Sequence, residues 1–295
     1  MRFYLFFVLV AQFPFVILNA QDNISESFIL SSRNLSFHNP SLLSRNSDIA
    51  GNIAYRSFLG NFSVIRTYFA DVDYSIVKPK KGTRGRMRQA IGLGLYNDRE
   101  GEFFSKVRLI AKYAIHVPLT REIFFSGGAM FHLINYNFNV SSGGASGSAW
   151  TWSPGIGLSL FSENFCLGAS FNDLNSPKIA PVAFEFSIPR YAMFYGEKKF
   201  SLSYQINLKT AARYSLNSQI RNGGFFELGM DLPQNFYVSA LYYNLRGYGA
   251  SVALNKVRVN NALADISIAY LAPGKDVVPA VSEYEINFRF YLKNE

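Results

Sequence analysis

The sequence predicts an all-β protein, a transmembrane outer-membrane β-barrel of about fourteen antiparallel strands. Three observations predict it: an apolar leader, period-two alternation repeated between turn-forming residues, and a composition poor in charge. The last strand shows the logic. In "YEINFRFYL" (284–292) Tyr284, Ile286, Phe288, Phe290 and Leu292 occupy alternate positions, with Glu285, Asn287 and Arg289 among those between them. Such a strand has one oily face and one wet face. The oily face is expected to meet lipid, and closure of the sheet removes the edge this strand would otherwise expose. The trailing "KNE" is a polar exit.

Composition supports a strand-rich chain. Of 295 residues, 49% are hydrophobic and only 17% charged, against about 25% charged in average soluble domains. Aromatics reach 16%, as 28 Phe and 18 Tyr but only 2 Trp, and glycine numbers 22. These residue types favour strands and tight turns.

The chain opens "MRFYLFFVLVAQFPFVILNA". One Arg, an apolar run over residues 3–18 and then Leu18-Asn19-Ala20 read as a secretory signal peptide over 1–20, cleaved after Ala20. The run is shorter than the roughly 20 residues of a spanning helix, and no long apolar run follows it. A closed barrel is then the remaining way through a membrane. Cys166, in "NFCLGASF", is the single cysteine. An exported chain with one cysteine has no internal disulfide framework, and Cys166 is expected to act as a small buried or lipid-facing hydrophobe.

Residues 21–48 lack a strand rhythm and are rich in Asn, Ser and Pro, which predicts an N-terminal lead-in or short plug. The barrel is assigned to 49–295. "IAGNIAYRSF" and "FSVIRTYFADVDYSIV" form the first pair about Leu59-Gly60-Asn61. "QAIGLGLYND" places Ile91, Leu93 and Leu95 on one face and Ala90, Gly92, Gly94 and Tyr96 on the other. "FFSKVRLIAKYAIHVPL" and "EIFFSGGAMFHLINYNFNV" follow, then "WTWSPGIGLSLFS" and "FCLGASFNDL" as a hairpin about Glu163-Asn164. "VAFEFSIPRYAMFYG" and "KFSLSYQINLKT" are expected to pair about Gly196-Glu197-Lys198, with Leu202, Tyr204, Ile206 and Leu208 on one strand face. "AARYSLN" and "GFFELGMDL" come next. "NFYVSALYYNL" and "GYGASVALNKVRV" meet at Arg246-Gly247, and "ALADISIAYLA" leads to the closing strand.

No catalytic or metal-binding constellation stands out, and no cofactor is expected. His38, His116 and His132 are scattered, with no HExxH or cysteine pair beside them; they read as polar lining residues. No serine sits in a GxSxG elbow. The glycines of residues 90–96 lie inside a strand rather than ahead of a helix, so they make no dinucleotide fingerprint. The strongest charge feature is "KPKKGTRGRMRQ" (78–89), carrying Lys78, Lys80, Lys81, Arg84, Arg86 and Arg88 without an acid. It falls between strands and reads either as a solvated loop at the barrel rim or as a docking patch for an acidic partner or lipid phosphates. Export makes nucleic acid an unsuitable partner. "SSGGASGSAW" (141–150) reads as a flexible connector.

Several of these stretches, in this order, resemble the PorP/SprF family of Bacteroidota outer-membrane proteins, associated with type IX secretion and gliding motility. They are "FHNPSLL" with Asn39 and Pro40, "AYRSFLG" with Arg56, and "AIGLGLYNDREG" with Asn97, Asp98 and Gly101. "LIAKYAIHVPL" follows with Tyr113 and Ala114, then "IFFSGGAMFHL", "WSPGIGLSLFSENFCLGASFNDL" and the closing "SEYEINFRFYL". The resemblance spans residues 30–292. The chain departs from the family pattern in three places. Ser41 and Leu42 follow the proline, Ser57 and Phe58 stand where Gln-Trp is customary, and Tyr284-Glu285 replaces a His-Glu. It reads as a diverged paralogue.

The resemblance implies a non-enzymatic barrel that assists type IX secretion, adhesin surface attachment or gliding motility. Expected partners are outer-membrane lipid and periplasmic or cell-surface proteins of a secretion or motility complex. Asn39 and Pro40 join the basic run as candidate partner-docking residues: they are expected either to fix a turn that positions the lead-in at the barrel mouth or to form a simple N-terminal turn. The competing functions are a passive porin-like channel for small solutes, drawing on the polar strand faces and the basic run, and a soluble exported β-sandwich.

Overall fold

Alternation of large apolar and polar or small residues lets each strand turn one face to the hydrocarbon and one to the interior. The computed structural model describes residues 28–45, 47–76, 87–139, 146–182, 185–217, 222–260, 262–275 and 281–292. The expected signal peptide lies outside these residues.

The wall strands are β1 (Ile49–Phe58), β2 (Arg66–Ser75), β3 (Arg88–Arg99), β4 (Phe104–Pro118), β5 (Phe124–Phe138), β6 (Gly147–Phe161) and β7 (Phe165–Asn172). Two short strands, β8 (Lys178–Ile179) and β9 (Phe186–Ser187), follow and pair only with each other. The wall resumes with β10 (Tyr191–Ser201), β11 (Asn207–Asn217), β12 (Gly223–Asp231) and β13 (Phe236–Tyr243). It ends with β14 (Gly247–Val259), β15 (Ala262–Pro273) and β16 (Glu283–Leu292). Each wall strand pairs antiparallel with its neighbours, and β1 meets β16 to close a fourteen-strand barrel. Among the described residues no helix is long and apolar enough to cross a membrane.

The faces fall as the pattern requires. Leu93 is 65% exposed, and Ile53, Leu158, Phe131, Ile286 and Phe288 also point outward. Glu285, Asn287, Arg108, Lys112, Tyr96 and Asp98 point inward and are buried. In β3 the expected split holds, with Ile91, Leu93 and Leu95 exposed and Ala90 and Tyr96 buried.

The β10–β11 hairpin differs from the sequence expectation. Strand β10 runs straight through Gly196-Glu197-Lys198, and the turn comes at 202–206. Glu197 is held in the wall because its carboxylate faces the lumen, 3.3 Å from Lys209 Nζ. Leu202, Tyr204 and Ile206 therefore belong to the turn, where Tyr204 is fully exposed. The β1–β2 connection is also longer than a tight turn, spanning 59–65 with a short 3-10 turn at Gly60–Phe62. A bulge in β14 shifts the register against β15 between Leu254 and Val257. There Lys256 takes a positive φ of 55°, and its N–H donates to Asp265.

At the mouth where β1 starts and β16 ends, most connections are short: 119–123, 162–164, 202–206, 232–235 and 260–261. Longer ones, including 139–146, 173–190 and 274–282, gather at the opposite mouth. There Ile179 and Ile188 pack onto the inward side chains Ile134 and Tyr136.

Candidate functional site

Residues 28–45 add no strand to the wall and run inside the barrel. Their apolar side chains each find an apolar patch on the inner wall. Ile29 and Leu30 pack with Phe225, Leu241, Tyr243 and Leu271. Phe28 and Phe37 join Phe69, Tyr96 and Ile110; Phe37 lies edge-on to Phe69, ring centroids 5.3 Å apart. Leu35 and Leu42 meet Phe161, Cys166 and Tyr195, and Leu43 meets Ala90 and Ala114. Cys166 is accordingly a buried hydrophobe without a disulfide.

The middle of the segment makes one helical turn, Leu35–His38, and then a 3-10 turn, Pro40–Leu42, with Asn39 between them. Asn39 Oδ1 accepts from the Ser41 N–H at 3.0 Å and from Ser41 Oγ at 2.7 Å, capping the second turn. Pro40 takes the first position of that turn, where a missing N–H costs nothing. The Asn39 amide donates to the carbonyls of Leu158 and Ala169, both at 3.3 Å, which stand opposite each other on β6 and β7.

Three wall glycines make room for this turn. Gly128 and Gly157 are opposite partners on β5 and β6, and Gly168 is on β7. A Cβ on Gly157 would collide with Asn39 Oδ1. A Cβ on Gly128 would lie 2.6 Å from the Pro40 backbone, and one on Gly168 2.9 Å from Asn39 Nδ2. Beside them Ser126 Oγ donates to the Ser41 carbonyl at 2.7 Å. His116 Nε2 lies 2.9 Å from the Leu43 carbonyl, a contact that only a ring N–H satisfies.

The other end of the segment is tied to the far wall. Glu285 Oε2 accepts the N–H groups of Ile29 and Leu30. Tyr243 Oη lies 2.8 Å from the carbonyls of both Phe28 and Ile29 and shares its one proton between them. Polar side chains tie the rest of the segment: Ser36 Oγ to Asp71 at 2.9 Å, Arg33 to Asn255 at 3.0 Å and, back on the Asn39 side of the barrel, Arg45 to Glu197 at 3.4 Å. Arg45 also donates to the carbonyls of Ser162 and Phe165.

Ion pairs line the wall around the segment. Lys112 Nζ lies 2.7 Å from Asp71 and 3.2 Å from Asp73. Arg108 lies 3.5 Å from Asp173. Glu283 is shared by Arg56 and by Arg246, whose turn precedes β14. Burial alone would lower the Arg246 pKa, but Glu283 beside it holds the guanidinium above its ordinary value.

The structure separates the residues that the sequence singled out. Asn39 and Pro40 are buried against the chain's own wall, inside the barrel rather than at its rim. Arg88 opens β3 and lies over the Phe124 ring at 4.6 Å. Lys78, Lys80, Lys81, Arg84 and Arg86 lie outside the described residues. His116 and His132 both face the lumen and are buried. His38 belongs to the segment and lies 3.2 Å from Tyr191 Oη. Asn34, Asn52 and Glu285 carry much of the linkage. No local motif marks Asn34 or Asn52, whereas Glu285 stands in the Tyr284-Glu285 pair of the closing strand. Asn52 and Glu285 otherwise show only as polar residues on the inward faces of their strands.

A family model described as "Type IX secretion system membrane protein PorP/SprF" matches residues 20–270. The chain belongs to the PorP/SprF family. As a PorP/SprF protein with a closed barrel and an apolar exterior, it is a β-barrel membrane protein of the outer membrane. No curated protein matches it in sequence.

Among solved structures, this PorP/SprF barrel is similar to the toluene transporter TodX of P. putida. The two are 10% identical, with a TM-score of 0.54 over 89% of this chain and 95% of TodX. It is likewise similar to the CymD monoaromatic hydrocarbon channel, at 10% identity and TM-score 0.54 over 91% and 94%. A Pseudomonas aeruginosa FadL homologue gives 9% identity and TM-score 0.53 over 86% and 92%. At these identities the likeness is one of fold.

Proposed function

We propose that this PorP/SprF barrel is a non-enzymatic anchor or accessory component for type IX secretion, adhesin surface attachment or gliding motility. One observation carries the reading against a passive porin: residues 28–45 are bonded to opposite walls of the lumen, at β6 and β7 through Asn39 and at β16 through Glu285. A passive pore needs an open water path. A filled barrel is a rigid membrane anchor whose mouths are left for partners.

Short turns face the periplasm in bacterial outer-membrane barrels, which puts the mouth containing the β1 start and β16 end on that side. The connection from Ser75 to Arg88, which contains the basic run, joins strands at the same mouth. Lys78, Lys80, Lys81, Arg84, Arg86 and Arg88 are on this reading the periplasmic docking patch for an acidic protein of the secretion or motility complex. Asn39 and Pro40 serve that docking by fixing the segment rather than by touching the partner.

Affinity isolation of the intact chain from native outer membrane in mild detergent tests the proposal. Periplasmic or surface proteins of the complex should accompany it, and their recovery should fall when the six basic residues become Ser or Gln. Recovery of a lone barrel under several mild conditions would contradict the anchoring role. Unchanged partners in the substituted chain would remove the docking role of the basic run.

A further inference from the structure

We infer that the N-terminal segment closes the barrel, with Asn34 bracketing the first strand to the last. Most wall pairings join strands that follow one another in the chain, and β7 reaches β10 through residues 173–190. The β1–β16 seam is different. It pairs Ile49 with Leu292 and Phe58 with Glu283, across nearly the whole described chain. Such a pairing carries the largest loop-closure cost in the molecule and gains least from local structure.

The seam is polar on its inner side, where Asn52 and Arg56 of β1 stand near Glu283, Glu285 and Asn287 of β16. Asn34 lies against it and is 0% exposed. Its oxygen accepts from Asn52 Nδ2 at 2.6 Å and from Asn287 Nδ2 at 3.0 Å. Its amide donates to Glu285 Oε1 at 3.0 Å and to the Leu30 carbonyl at 3.3 Å. Two donors and two acceptor positions are the whole capacity of an asparagine amide, and all are used.

The placement of this residue suits the task. Asn34 is 18 residues from Asn52 but 251 from Glu285. It is thus a near neighbour of β1 in the chain and a remote one of β16. Folded beside β1, the segment presents the Asn34 amide and the N–H groups of Ile29 and Leu30 to the incoming β16 as a ready set of partners. Glu285 takes the Ile29 and Leu30 N–H groups and one Asn34 donor. Without Asn34 the buried amides of Asn52 and Asn287 and a carboxylate oxygen of Glu285 each lose a partner, all at the seam.

Strand-resolved hydrogen exchange on the full chain in detergent tests this, comparing Asn34→Ala with Asn39→Ala. Both substitutions remove buried bonds between segment and wall. Asn34→Ala is expected to speed exchange of β1 and β16 amides about tenfold while sparing β6–β7. Asn39→Ala is expected to do the reverse. Unchanged protection of β1 and β16 in Asn34→Ala, or equal loosening of all strands by both variants, would overturn the inference. If Asn34→Ala does not fold, a disulfide between Ile53→Cys and Phe288→Cys, opposite each other on the lipid face, should restore the folded barrel. Failure of that bond to rescue folding would also overturn it.

Discussion

The Asn39 side-chain oxygen occupies the space that a Cβ on Gly157 would fill. The turn at Asn39-Pro40 and the glycines beneath it are therefore one device: a bay in the wall and the residue that fits it. Gly157→Ala should force the turn off the wall. Overpacking of this kind costs about 1–3 kcal/mol, read as a lower midpoint in urea unfolding from detergent. Gly127→Ala, whose new Cβ would meet only Leu158 at 3.7 Å, should leave the midpoint unchanged.

Asn39→Asp keeps the shape of the side chain and the capping oxygen but removes the amide donors to Leu158 and Ala169. A carboxylate would face two backbone carbonyls instead. It should destabilise the barrel at least as much as Asn39→Ala, by about 1–3 kcal/mol for a buried group left unpaired. A milder effect of Asp than of Ala, measured by the same unfolding midpoint, would contradict this arrangement.

Glu283→Gln removes a carboxylate that pairs with both Arg56 and Arg246. Breaking a buried pair by removing one partner costs about 3–5 kcal/mol. The loss should be clear in thermal unfolding and should shrink when Arg246→Met is added, because the guanidinium that lost its paired carboxylate oxygen goes with it. Additive losses in the double variant would show that Arg246 does not depend on Glu283.

Leu93→Arg tests the lipid face. Leu93 is outward and 65% exposed. An arginine facing the hydrocarbon of a β-barrel costs about 2–4 kcal/mol at the bilayer midplane. Yield of folded protein on refolding into lipid vesicles should fall, while Lys256→Ala, at the β14 bulge near a mouth, should fold normally.

Much of the wall was legible because lipid outside and packed groups inside enforce period-two alternation. "GYGASVALNKVRV" matches β14 residue for residue, and "YEINFRFYL" misses only Glu283 of β16. The β10–β11 hairpin misled because Gly196-Glu197-Lys198 carries the residue types of a turn. In a barrel a charged residue is equally at home on the inner face, and Glu197 sits there between Arg45 and Lys209. The site was less legible. Asn39 and Pro40 stand out as a motif, but the glycines that receive them are 89, 118 and 129 positions away along the chain, by the numbers of Gly128, Gly157 and Gly168. Asn34, Asn52, Glu285 and Asn287 form a network only when the last strand meets the first, and no local pattern records that meeting.

The most direct test of the filled-lumen account is conductance of the intact chain in planar bilayers. With residues 28–45 bonded to both walls, the barrel should show no steady open state. A constant open-pore current from the full-length protein, surviving without any substitution in the segment, would contradict the anchor and establish a passive channel.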